Sequence, residues 1–235
     1  MAVTVQSVID RVQVTLQDTT GVRWPVTSEL ILFVNDAQRE ISLIKPDATA
    51  VNTTITLSSS SGTKQSIPTD GNRLLNVVRN KAAASDSSNG GRAIRLVKIE
   101  ELDAQQPEWH SPSVTGDAAH TNIVRHFVYD ERNPRNFYVY PGIGSVAAYV
   151  EIVYSQNPAT IAQNANLGVP DIFANAVMDY VLYRCYMKDA ESAGNAARAR
   201  GHQEMFLSSV TGKSLIDMTT DPNVNSRAQP MQPRG

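Results

Sequence analysis

The stretch Pro170-Asp171-Ile172-Phe173-Ala174-Asn175-Ala176-Val177-Met178-Asp179-Tyr180-Val181-Leu182-Tyr183-Arg184-Cys185-Tyr186-Met187-Lys188-Asp189 decides how this chain is read. It predicts a helix over 171–187 that is apolar on nearly every side. A helix packed on one core needs a single apolar stripe. This one calls for partners on several faces, so it lies deep in a core or is shared with neighbouring subunits. A bilayer span is the rival reading, because a crossing needs ~20 apolar residues. Asn175, Asp179 and Arg184 argue against it. A charge at mid-helix costs roughly 2.5–3.5 kcal/mol on the insertion scale. No membrane association is expected.

A second helix follows over 192–210. Its small residues Ala193, Ala196, Ala197 and Ala199 allow two axes to approach closely. Phe206, Leu207 and Val210 anchor its far end. Phe173, Val177, Tyr180, Arg184, Ala196 and Ala197 are the expected packing residues of the subunit wall. Asp179 and Arg184 read as a loose structural pair. Beyond this helix, 213–235 has three prolines and few large apolar residues. It reads as an extended tail that a partner must order.

The N-terminal end is also helical. Val5, Val8, Ile9, Val12 and Leu16 recur at helical spacing, and Asp18-Thr19-Thr20-Gly21 marks the exit. A second helix begins after Trp24-Pro25, with Thr27 or Ser28 as its cap and Glu29 in its first turn. Leu30, Val34, Ala37, Ile41 and Ile44 form its stripe, and Pro46 ends it.

Between the two helix pairs the period changes to two. Val51, Thr53, Ile55 and Leu57 alternate with polar residues, as in a half-buried strand. Further strands are expected over 64–68, 74–81, 93–98, 126–130, 137–140 and 149–155. Leu75 and Val77 are expected on one face, as are Val150, Ile152 and Tyr154. A short helix spans 100–106. The short connections favour antiparallel pairing throughout. The class is α+β: a small bundle of two N-terminal and two C-terminal helices, an inserted antiparallel β-rich domain and an extended C-terminal tail. The expected divisions are 1–47, 48–160, 161–212 and 213–235.

The 235 residues carry a net charge of −2, without the basic excess of a free-standing nucleic-acid binder. The single cysteine, Cys185, permits no intrachain disulfide, which favours an intracellular folding compartment. It reads as a small buried hydrophobe. Met1-Ala2-Val3-Thr4-Val5-Gln6 has neither a basic region nor a long apolar core, so no secretory leader is expected.

Motifs for chemistry fail on context. Gly142-Ile143-Gly144-Ser145-Val146-Ala147 fits a dinucleotide loop on paper, but a strand is expected after it where the chemistry needs a helix N-terminus. Gly212-Lys213-Ser214 lacks the first glycine of a phosphate loop, because Leu207 stands there. His110, His120, His126 and His202 have no spacing for a metal set. No serine sits in a nucleophile elbow. Neither a cofactor nor a catalytic residue is expected.

Two stretches together resemble a known family. One runs Val5-Gln6-Ser7-Val8-Ile9-Asp10-Arg11, Leu16-Gln17-Asp18-Thr19-Thr20, Arg23-Trp24-Pro25 and Val34-Asn35-Asp36-Ala37-Gln38-Arg39-Glu40-Ile41. The other runs Leu167-Gly168-Val169-Pro170-Asp171-Ile172-Phe173 through Asp179-Tyr180-Val181-Leu182-Tyr183-Arg184, then Lys188-Asp189-Ala190-Glu191 and Gly194-Asn195-Ala196-Ala197-Arg198-Ala199. They resemble the head-to-tail adaptor (connector or gateway) proteins of tailed bacteriophages, over about residues 3–210. The resemblance implies a virion protein, made in the host bacterial cytoplasm, that forms a ring under a dodecameric portal. Its helices would build the ring wall, its β part would face outward or toward the tail and nozzle proteins, and double-stranded DNA would pass through unread. The tail would dock on the portal protein, with Leu215, Ile216 and Met218 as anchors, Met231 as a further one, and Arg227 and Arg234 pairing with acids. A tail-tube or nozzle-proximal structural protein is the alternative in the same class. A small hydrolase using His110, His120 or His126 is the alternative in another.

Overall fold

A computed structural model of the chain describes residues 2–60, 62–84, 90–189, 191 and 193–220. Among them the helices are α1 (Val5–Leu16), α2 (Ile31–Ile44), α3 (Ile99–Gln105), α4 (Ala174–Lys188) and α5 (Ala193–Thr220). The strands are β1 (Ala50–Leu57), β2 (Lys64–Ser66), β3 (Gly71–Lys81), β4 (Gly90–Ala93), β5 (Arg95–Leu96), β6 (His126–Tyr129), β7 (Asn136–Tyr140) and β8 (Ala148–Gln156). The chain divides into two compact units, Met1–Thr49 with Pro158–Gly235, and Ala50–Asn157.

The first unit is helical. In α1 the apolar spacing puts Val5, Val8, Ile9 and Val12 in the core. The Thr4 hydroxyl accepts the Ser7 N–H at 3.2 Å as its cap. Gln17 closes the helix in the left-handed region at φ 56°. Asp18 then organises the exit. Its carboxylate accepts the N–H groups of Val22, Arg23 and Trp24 at 3.2, 2.9 and 2.8 Å. Thr27 and Ser28 do not cap α2, contrary to the sequence expectation. They lie inside a wide turn, Val26–Leu30, where the Pro25 carbonyl accepts the amides of Glu29 and Leu30 at 3.1 and 3.2 Å. The backbone itself closes this helix start, and no hydroxyl is needed.

Helix α4 packs on α1, α2 and α5 of its own unit, which accounts for its broad apolar surface. Ala176, Val177, Val181, Leu182 and Cys185 all face that core. Burying each of the larger aliphatics contributes about 1.5–3 kcal/mol. The segment leading into α4 is held by side-chain amides that stand in for a strand partner. Asn35 donates to the Ile161 carbonyl at 3.2 Å and accepts its N–H at 2.9 Å. Gln38 accepts the Gly168 N–H at 2.6 Å.

Helix α5 runs to Thr220 and not to 210. The first eight residues assigned to an extended tail are therefore helical. A lone glycine such as Gly212 costs about 1 kcal/mol in a helix, which is too little to stop one that has a packing anchor beyond it. That anchor is Lys213, whose ammonium lies 5.3 Å from the centre of the Phe173 ring.

The second unit holds two four-stranded sheets, in the orders β1-β8-β3-β4 and β2-β7-β6-β5. They share a core of Leu74, Val77, Phe127, Phe137, Val139, Val150, Ile152 and Tyr154, among others. The face of β8 follows the alternation expected for Val150, Ile152 and Tyr154. The face of β3 does not. Gly71, Leu74, Val77 and Asn80 point inward, every third residue, and Leu75 is only half-buried. Register shifts between Gly71 and Arg73, Leu74 and Asn76, and Val77 and Arg79 cause this, because each extra residue resets the alternation.

The 93–98 segment is split, and antiparallel pairing is not universal. Ile94 still donates to Val78 of β3, whereas Arg95 donates to Arg125, so the chain leaves one sheet and joins the other. β5 then pairs with β6 in parallel. The long connection from 97 to 125 makes that direction possible. Asn80 ties the two sheets at this corner. Its Nδ2 donates to the carbonyls of Arg92 and Val124 at 2.9 and 2.8 Å, and its Oδ1 accepts the Val124 N–H at 2.8 Å.

Candidate functional site

The register of α4 against α5 sets what the helical unit presents. His202 meets Asp179 and stacks on Tyr186, Phe206 meets Tyr180, and Lys213 meets Phe173. The two helices therefore run antiparallel, and position 213 lies beside the start of α4. Seven further residues, 214–220, carry α5 past that point. At about 1.5 Å per residue this adds roughly 10 Å of helix. Ile216 lies on this extension and is exposed. The side chains of Leu215 and Met218 lie outside the described residues, as do Arg227, Met231 and Arg234 entirely.

The expected wall residues separate into two groups. Phe173 and Val177 are buried in the core of their own unit. Tyr180 and Arg184 are half-buried on its surface. Arg184 Nη1 donates to the Tyr180 hydroxyl at 3.2 Å, and the guanidinium lies 5.0 Å from the Phe33 ring centre. Arg184 is only 4.0 Å from the Asp36 carboxylate, while Asp179 pairs with His202 at 3.0 Å. The expected Asp179–Arg184 pair is thus replaced by two others, because α5 brings His202 to Asp179. Of the alanines, Ala199 is fully buried, Ala196 is half-buried and Ala197 is exposed.

The histidines of the β unit hold structural contacts. His110 Nδ1 lies 2.7 Å from the Thr63 hydroxyl, and its ring centre lies 3.7 Å from that of Trp109, with the planes tilted by 31°. Burial pushes its pKa down, against the pull of Asp103. His120 packs so closely on Gly142 that a Cβ there would come within 2.5 Å of its Nε2. Both rings line an open cleft of about 550 Å³ with Ser59, Ser60 and Ser145. His126 lies in another contact, stacked on Tyr140. Burial first, then Arg92, Arg95 and Arg125, push its pKa down. Among the described residues no group of histidine, cysteine and carboxylate side chains is arranged to hold a metal.

Two further sequence expectations concern chemistry. After Gly142 and Gly144 comes strand β8, with no helix N-terminus to face a pyrophosphate. Cys185 is fully buried, and burial pushes its thiol up to about 12, so it is held protonated at neutral pH. Among the described residues no helix is long and apolar enough to cross a membrane.

No curated protein matches the chain. The sequence does match the family described as SU10 adaptor protein, over residues 3–231. That span includes both helix pairs, the two sheets and the extension of α5. The chain therefore belongs to the SU10 adaptor protein family and is a structural phage protein of the head-to-tail adaptor type.

Proposed function

We propose that this protein forms a ring, expected to be dodecameric, beneath the portal of the virion and joins the capsid to tail or nozzle proteins. Double-stranded DNA passes through its lumen without being read. The observation that carries the portal contact is the extension of α5 past α4, with Ile216 exposed on it. A helix end that carries an exposed isoleucine and leads into a polar stretch of sequence suits docking in a partner groove. Leu215, Met218, Met231, Arg227 and Arg234 complete the proposed docking segment. Repetition around a ring lets a weak contact per copy hold the joint. The net charge of −2 gives the chain no overall cationic excess to retain phosphates in transit.

The test is a chain ended after Lys213, which keeps the contact with Phe173. It is expected to retain its circular dichroism spectrum and melting temperature and to lose binding to purified portal rings. Undiminished portal binding would remove the C-terminal segment from the joint. Electron microscopy of the portal complex with the full chain is expected to show one adaptor per portal subunit.

A further inference from the structure

One corner of the β unit gathers three arginines that are little paired among the described residues. Arg92 is on β4 and Arg95 on β5, each the edge strand of its sheet. Neither arginine has an ion pair among the described residues, and both are exposed. Among the described residues Arg125, next to β6, has an ion pair only with Asp117, at 3.9 Å, and that carboxylate is almost wholly in solvent. All three guanidinium groups stand close enough to act on His126, which pairs with Arg95 across the parallel ladder.

The same corner exposes apolar side chains and an open backbone edge. Leu96 is 65% exposed and Ile123 is 50% exposed. Ile123 and Arg92 line one open cleft of about 350 Å³. The amides of Arg95 and Val97 point inward, to Arg125 and Phe127. Alternation along a strand turns the Leu96 N–H and carbonyl to the outer edge. Natural edges are usually blunted or covered, and among the described residues β5 is protected only by its shortness, two residues, and by the charge of Arg95.

We propose that this edge docks an extended acidic polypeptide segment, which adds a strand beside β5 and sets carboxylates against Arg92, Arg95 and Arg125. Strand addition takes affinity from main-chain bonds and specificity from alternate side chains. Here apolar residues of the partner cover Leu96 and Ile123. Duplex DNA is the poorer fit. It has no apolar complement for Leu96 and no backbone amide for the open edge. Salt-sensitive duplex binders neutralise on the order of 6–10 phosphates, and three arginines fall short of that. This surface lies in the β unit and does not depend on the C-terminal segment meeting the portal.

The experiment uses the full chain and a fluorescent peptide of alternating glutamate and valine, at low salt. Controls are the same peptide with lysine for glutamate, and a short DNA duplex. The glutamate peptide is expected to bind, and the Arg92→Ala/Arg95→Ala variant to bind it about tenfold more weakly or worse. Both side chains are exposed, so melting temperature should not change. Hydrogen exchange of the Leu96 amide should slow when the peptide is bound, and Leu96→Asp should weaken binding. Failure of the peptide to bind, equal binding by the arginine variant or an unprotected Leu96 amide overturns the proposal. Preferential, arginine-dependent binding of the duplex overturns it in favour of a nucleic-acid surface.

Discussion

His202 on α5 and Asp179 on α4 meet at 3.0 Å, with both side chains largely out of solvent, and the His202 ring lies parallel to Tyr186. The contact fixes the register of the two longest packed helices. Asp179→Ala leaves Nδ1 facing a site without an acceptor, and a hydrogen bond to a charged group is worth about 1.5–3 kcal/mol. Urea denaturation should show a loss in that range. A double-mutant cycle with His202→Ala should show that the two losses do not add.

The α4–α5 crossing gives a second expectation. Ala199 is fully buried and Ala197 is exposed. Ala199→Leu forces three extra carbons into a filled interface, at about 1–3 kcal/mol. Ala197→Leu should stay within about 0.5 kcal/mol of the parent. Thermal melts of the pair decide it, and equal melting temperatures would mean that the crossing is not close-packed at Ala199.

These two alanines show where sequence legibility ends. The run of small residues identifies a helix that packs closely, but not which alanine touches the partner. That depends on the rotation of α5, set by Phe206 and Val210 and by the meeting of His202 with Asp179. The apolar spacing of α1 and α2 was legible because each has one stripe. The inward triplet Leu74, Val77 and Asn80 was not, because bulges are written in partner register rather than in the strand itself. The break at Ile94 depends on Asn80 and Val124, far away in sequence. Part of the candidate docking segment was legible as an aliphatic cluster around Ile216. The helical state of 213–220 was hidden by the polar composition and by Gly212. The arginine corner was illegible for a simpler reason: Arg92 and Arg125 come near His126 only through the fold.

Gly142 tests the His120 contact. A Cβ there would lie 2.5–2.8 Å from three atoms of the His120 ring. The ring is planar and stiff, so it must move as a whole. Gly142→Ala should destabilise the β unit by about 1–3 kcal/mol. Adding His120→Ala removes the clash, so the double variant should be more stable than the sum of the two single losses predicts. Additive losses in denaturant would show that the His120 ring is not what makes glycine necessary.

Cys185 gives a chemical probe of the helical core. Its thiol is pushed up to about 12 by burial, and Glu29 adds to that effect. An ordinary thiol titrates near ~8.5. A thiol reagent should therefore leave the native chain unmodified at mildly alkaline pH and label it fully in denaturant. Rapid native labelling would mean that α4 opens readily from α1 and α2.

Acid should loosen the first unit through Asp18. Burial alone would raise its pKa, but the amides of Trp24, Arg23 and Val22 outweigh it and hold the carboxyl below its usual value of 3.8. A carboxyl depressed in the folded state gives stability that is present above the unfolded pKa. That stability is lost as pH falls through the folded value. The loss should begin near pH ~4 and continue to the depressed pKa. Asp18→Asn keeps one acceptor oxygen and removes the titration. Its melting temperature should be lower than the parent's at neutral pH, and the gap should close as pH falls below 3.8. Glu151 is depressed too, first by Arg79 and then by Asn52, but it belongs to the other unit. Tryptophan emission from Trp24, recorded in a Trp109→Phe background, reads the helical unit separately. A gap between parent and Asp18→Asn that stays constant with pH would show that the Asp18 carboxylate does not hold the exit of α1 through its charge.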